Sequence, residues 1–165
     1  MESQETAMIL QGLNRLTNGE HASLRHTVGR TMAEADGRAL EAFYKAIPPA
    51  VKPWQQGRCF TVMGIACLWR AEEVSVRGDI VGMLHTLEQK RDTNGIGVKI
   101  RGLLDMRWDD EDGYLAAKLG RLARMLRAED AGAMPDIDML FSDLNTWNDD
   151  NRKTQRRWAQ VFFQN

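Results

Sequence analysis

Cysteine and histidine are scarce in this 165-residue chain, and their scarcity removes several chemistries. Two cysteines, Cys59 and Cys67, are too few for a disulfide framework or a four-thiolate zinc site. Eight positions apart on a predicted helix, they cannot share one metal directly, and they read as buried free thiols of a reduced, cytoplasmic protein. The three histidines are His21, His26 and His85. His21 and His26 are five apart, not the four that would stack two ligands on one helix face, and no glutamate completes a metalloprotease pattern. They read as solvent-facing or interface residues. Long apolar runs are also missing. The most apolar window, Cys59–Trp69, is eleven residues, against ~20 for a membrane-spanning helix. The opening Met1-Glu2-Ser3-Gln4-Glu5 has neither the positive region nor the apolar stretch of a secretory signal. No membrane association is expected.

Charge of one sign is absent overall: 22 Lys+Arg face 23 Asp+Glu. That excludes a uniformly basic nucleic-acid binder but not a locally basic face. Catalytic signatures are lacking too. Gly95-Ile96-Gly97 starts like a dinucleotide fingerprint, but the next glycine is Gly102 and no strand precedes it. There is no Walker lysine, nucleophile elbow or kinase signature. No enzyme, metal or cofactor is expected.

Helical periodicity is present almost throughout. Met8, Ile9, Leu13 and Leu16 mark a first helix, broken at Asn18-Gly19. Ala22, Leu24, Val28 and Met32 mark a second, ending near Asp36-Gly37. Leu40, Phe43, Tyr44 and Ile47 form a third, stopped by Pro48-Pro49. Pro53 and Trp54 open a helix that is apolar on most sides and therefore central. Val74–Lys90 reads as another. Beyond the break at Asp92-Thr93-Asn94-Gly95 come Ile100, Leu103 and Leu104, then helices over Tyr114–Arg127, Ile137–Trp147 and up to Phe163, the last capped by Asn148-Asp149-Asp150. The acidic run Asp109–Asp112 puts negative charge before the Tyr114 helix, as its macrodipole favours. Strand alternation never exceeds Val74–Val76. The expected fold is all-α: two small helical bundles, an N-terminal lobe over 1–91, a linker over 92–98 and a C-terminal lobe over 99–165. The expected core contains Leu16, Phe43, Phe60, Ile65, Leu68, Leu104, Leu119, Leu122, Leu140, Leu144 and Trp158.

The charges are segregated. Leu115–Arg127 carries Lys118, Arg121, Arg124 and Arg127 and no acid, with Leu115, Leu119, Leu122 and Leu126 as its apolar stripe. Arg124 falls nearly opposite the leucines. Glu129–Asp150 holds seven acids and no base, and Arg152, Lys153, Arg156 and Arg157 follow. Internal pairing of the basic and acidic helices, or a solvated face, accounts for the charge alone as well as an anionic partner does. Repulsion along one helix favours the partner, and phosphate backbone is the commonest one. No zinc-finger spacing, RNP aromatics or clear helix-turn-helix pattern is present, so recognition would be of backbone and shape. The candidate nucleic-acid-binding residues are Arg25, Arg101, Arg107, Lys118, Arg121, Arg124, Arg127 and Arg152. The acidic segment is a candidate for docking a basic lobe of a second copy, or for neutralising the chain's own basic helix.

Several motifs, taken in order, match one family. They are Leu13-Asn14-Arg15-Leu16 with Asn18-Gly19-Glu20, Ala22 and Leu24-Arg25; then Ala42-Phe43-Tyr44-Lys45; then the leucine–arginine run Leu122–Arg127. Leu144, Trp147-Asn148-Asp149-Asp150, Gln155-Arg156-Arg157-Trp158-Ala159 and Phe162-Phe163 complete the set. This series resembles the CasB family, the small subunit of the type I-E CRISPR surveillance complex, Cascade. Many members carry a glycine-rich turn and linker before an arginine–leucine helix. Here Lys99–Leu104 fits the second element and the first is shortened. The resemblance implies a two-lobed, non-enzymatic helical subunit, paired head to tail with a second copy. Its implied partners are the large and backbone Cascade subunits, the guide RNA, and the target and displaced DNA strands, with the R-loop held by sequence-independent contacts in antiviral defence. A free-standing helical DNA-binding regulator and a purely structural helical adaptor are the alternatives.

Overall fold

The structure is a computed structural model, and it describes residues 9–92 and 94–164; Met8 and Thr93 lie outside the described residues. Helix α1 covers 9–14 of this range. Helix α2 (Asn18–Arg25) begins at a reciprocal cap: Thr17 Oγ1 accepts from Glu20 N at 3.1 Å and Glu20 Oε1 accepts from Thr17 N at 2.9 Å. It stops at Arg25 instead of running to Asp36, and a short 3-10 turn, Met32–Glu34, follows. The cause is tertiary. Gly29, at φ 87°, lies against the helix Tyr114–Glu129 so closely that a Cβ on Gly120 would come within 2.8 Å of its nitrogen, a backbone approach that a continuing helix would block.

Helix α3 (Gly37–Ala46) is capped by Asp36, which accepts from Ala39 N. Helix α4 (Gln56–Ala66), preceded by the Pro53–Gln55 turn, is buried from Arg58 onward and is central, as its all-round apolarity implies. The expected helix from Val74 starts only at Ile80. Val76–Gly78 is instead a strand, β1, paired in parallel with β2 (Ala133–Pro135), Val76 opposite Ala133. Asp79 caps α5 (Ile80–Arg91) through Val81 N, which sets the later start. Helix α6 (Gly95–Leu104) takes up 95–98 of the segment expected as linker. Helices α7 (Tyr114–Glu129), α8 (Ile137–Asn145) and α9 (Lys153–Phe163) complete the all-α fold. The acids before α7 bond backbone as expected: Asp109 Oδ1 accepts from Glu111 N and Asp112 N, and Asp112 Oδ1 from Tyr114 N.

One contiguous apolar core runs through the chain, from Leu24, Phe43 and Phe60 to Leu84, Ile100, Leu119, Leu144 and Trp158. Helix α4 packs on α8, and α5 packs on α6, α7 and α9. Two expected core residues, Leu16 and Leu104, are only half-buried at its margin; the other nine are buried.

Candidate nucleic-acid interface

Helix α7 sets the geometry. The leucine stripe predicts a narrow buried face, but Ala116, Gly120 and Ala123 are buried too. On a wheel of about 100° per residue they widen that face on one side. Arg127 then falls at its edge, half-buried, and its Nε donates to Leu68 O at 2.9 Å, at the C-terminal end of α4. Lys118 is also half-buried, while Arg121 and Arg124 are exposed. From α6, Lys99 Nζ lies 4.0 Å from Met125 Sδ, which brings another cation beside the α7 row.

A second group forms between α6 and α9. Arg101, Arg152 and Arg156 line one groove of about 510 Å³, together with Asp105, Asp150 and the buried Gln155. Arg152 is partly committed to the fold. It is the left-handed N-cap of α9, at φ 53°, and its Nη2 donates to Leu104 O. Arg156 is exposed, and sequence reasoning passed over it as part of a longer motif. Its helical spacing from Arg152 was the signal that could have found it.

The remaining two expected residues stand apart from these groups. Arg25 is half-buried at the end of α2, close enough to Cys67 for its charge to act on that thiol. Arg107 is exposed in the segment after α6. Burial pushes both the Cys59 and Cys67 thiols up to about 12, so neither supplies a thiolate near neutral pH.

Ion pairing does not neutralise this surface. Among the described residues the ion pairs engage Lys45, Lys90, Arg91 and Arg157, and none of the eight predicted cations. The acidic segment serves other elements. Glu129 pairs with Lys90 at 2.7 Å, Asp136 caps α8, and Asp143 receives Arg157 and the Trp158 indole. Burial pushes the Asp143 carboxyl up from its ordinary value, against those two donors.

The C-terminal motif residues are internal fastenings. Trp147 and Trp158 meet edge to face at 5.1 Å, and Trp147 Nε1 donates to Met106 O at 2.8 Å. Asn148 does not cap α9; its side chain accepts from Trp108 N and donates to Trp108 O. Asn151, just before the Arg152 N-cap, accepts from Lys153 N.

The sequence profile of CRISPR-associated protein Cse2 matches residues 20–163. The chain belongs to the CRISPR-associated Cse2 family. Solved structures agree with the fold of this Cse2-family chain. It is similar to M. ruber CasB, at 17% identity and a TM-score of 0.72, over 99% of this chain and 94% of that one. It is similar to a chain of a CRISPR RNA-guided surveillance complex, at 18% identity and a TM-score of 0.73, with coverage of 99% and 94%. A Cse2-family protein from Thermus thermophilus matches at 18% identity and a TM-score of 0.72, covering 95% and 96%. No curated protein matches the sequence.

Proposed function

We propose that this Cse2-family chain is the non-catalytic small subunit of a type I-E CRISPR RNA-guided surveillance complex, and that it helps hold the R-loop open by sequence-independent contacts to nucleic-acid backbone. The supporting observation is the row of cations on α6, α7 and α9, of which Arg101, Arg121, Arg124 and Arg156 are exposed and make no ion pair among the described residues. In such a complex guide–target pairing carries the sequence information and the protein holds backbones. R-loop formation is nearly balanced, so modest contacts decide whether it persists. Each cation on a phosphate releases counterions, a contribution that is salt-dependent and blind to sequence. Arginine also stacks on exposed bases of a single strand. The reading includes the large and backbone subunits and a second copy as neighbours.

The test reverses two charges. Arg101→Glu with Arg124→Glu should leave folding and incorporation intact, since neither side chain is in the core. R-loop retention should weaken uniformly across target sequences, and the log–log salt slope should become shallower by ~1 per lost phosphate contact. A double variant that assembles and holds target DNA like the parent at every salt concentration removes these residues from the interface. An effect that depends on the bases presented overturns the backbone-holding mechanism.

A further inference from the structure

The groove between α6 and α9 contains a polar group with nothing to bond. Gln155 lines it and is only 6% exposed. Its Nε2 donates to Trp147 O at 2.6 Å, and turning the amide over would break that bond, so Oε1 is the free end. This oxygen is buried and has no hydrogen-bond partner among the described residues. Its local partner is already taken. Gln155 is the third residue of α9, a position from which a glutamine oxygen can reach back to the N–H of the N-cap. Here the N-cap, Arg152, gives its backbone N–H to Asp149 O instead. Buried polar side chains are ordinarily satisfied, so an unmet acceptor on the wall of a groove points to a ligand that brings a donor.

The groove, of about 510 Å³, is graded from inside to outside. Gln155 is buried, Leu104 and Ala159 are half-buried, and Arg101, Arg152 and Arg156 are exposed together with Asp105 and Asp150. Cations outnumber acids at this rim, and Arg101 and Arg156 make no ion pair among the described residues. An acceptor at depth, apolar flanks and a cationic rim complement the three parts of a nucleotide in order. The N–H groups on the edge of the base meet the acceptor, the flat ring meets the flanks, and the phosphate meets the rim.

We propose that this groove receives an unpaired nucleobase of the strand whose phosphates Arg101 and Arg156 hold, an inference that rests on the backbone-holding reading above. Every base carries at least one N–H on its pairing edge, so Gln155 Oε1 is served by any of them and the contact stays blind to sequence. In a duplex that N–H is already given to the opposite strand. The groove therefore selects single strands over duplex, a distinction that phosphate contacts alone do not make. A lysine or arginine of a neighbouring protein would also bring donors, but the cations at the rim repel it and it brings no anion to them.

The test uses the full chain with nitrogen-15 in glutamine and arginine, and reads the Gln155 side-chain amide and the Arg156 guanidinium. The probes are single strands of equal length: oligothymidylate, the same strand methylated at base N3 and so lacking the base N–H, and an abasic strand with the same phosphates. Oligothymidylate should shift both signals saturably. Methylation should weaken the response at Gln155 by ~5-fold or more, the contribution of one hydrogen bond. The abasic strand should move Arg156 alone. Ala159→Phe fills the half-buried flank and should erase the difference between oligothymidylate and the abasic strand; a difference that persists in a folded variant overturns the pocket. A Gln155 response as strong with the methylated or abasic strand also overturns it, while the Arg156 shift leaves the backbone reading standing. No shift of either signal with any strand overturns both. Displacement of oligothymidylate from Gln155 by the purified large subunit assigns the groove to a protein contact and overturns the proposal.

Discussion

The segment from Trp147 to Trp158 and the outer face of α7 both look functional as strings of residues, and the fold uses them in opposite ways. In the first, Asn148, Gln155, Arg157 and the Trp158 indole bond inward, while 149–153 and Arg156 are exposed. Gln155 Nε2 donates to Trp147 O, Trp158 Nε1 donates to Asp143, Arg157 reaches Asp79 and Asp143, and Asn148 clasps Trp108. On the outer face of α7, Arg121 and Arg124 have no hydrogen bond or ion pair among the described residues. The C-terminal motif positions Trp147, Asn148, Gln155, Arg157 and Trp158 are therefore fastenings of the interior. The side chains proposed to act are plain cations set at helical spacing.

The comparison breaks first at Trp158. Its ring is fully buried, and Trp158→Ala should cost about 3–5 kcal/mol in chemical denaturation. A variant as stable as the parent would mean that the segment does not fasten the core. Asp143→Ala comes next. It removes the acceptor of the Trp158 indole and of Arg157, and about 2–3 kcal/mol should be lost, because one partner is left buried without its hydrogen bond. Asp143→Asn keeps an acceptor there and should lose less. Asn148→Ala follows at about 1–2 kcal/mol, for two hydrogen bonds to the Trp108 backbone. Equal stability for Asp143→Asn and Asp143→Ala would show that the acceptor at this position is not what holds α8 to α9.

Helical period alone made most of the interior legible: Phe43, Phe60, Ile65, Leu119, Leu140 and Leu144 are buried where their spacing put them. Features set by distant partners stayed hidden. β1 is three residues long, and Ser75, just before it, reaches Gly132, 57 positions away, so no local alternation could announce it. The end of α2 depends on Gly29 meeting Gly120, which is a tertiary contact. The candidate site divides in the same way. Charge segregation located the α7 row, but not that Arg127 is spent on Leu68 O and Arg152 on Leu104 O. Those acceptors lie 59 and 48 positions away. Asp109–Asp112 read correctly as a helix entry, and nothing in the sequence indicated a cavity behind them.

The smallest expected effect sharpens the comparison within a single groove. Arg152 and Arg156 both line it, the first as the N-cap of α9 and the second in its first turn. Arg152 sits in the left-handed region and donates to Leu104 O, whereas the Arg156 side chain is exposed and unpaired among the described residues. Arg152→Gly exchanges a lost hydrogen bond for relief of backbone strain, two effects of about 1 kcal/mol each and opposite sign. Its stability should therefore stay within about 1 kcal/mol of the parent, and its salt slope for nucleic acid should be unchanged. Arg156→Ala should leave stability within about 0.5 kcal/mol, as surface substitutions do. It should also remove one phosphate contact, flattening the log–log salt slope by ~0.7–0.9. Binding titrations at four or more salt concentrations resolve the two. If Arg152→Gly flattens the slope and Arg156→Ala does not, the guanidinium that fastens the fold is also the one that holds the phosphate, and the separation between interior fastening and free cation fails in this groove.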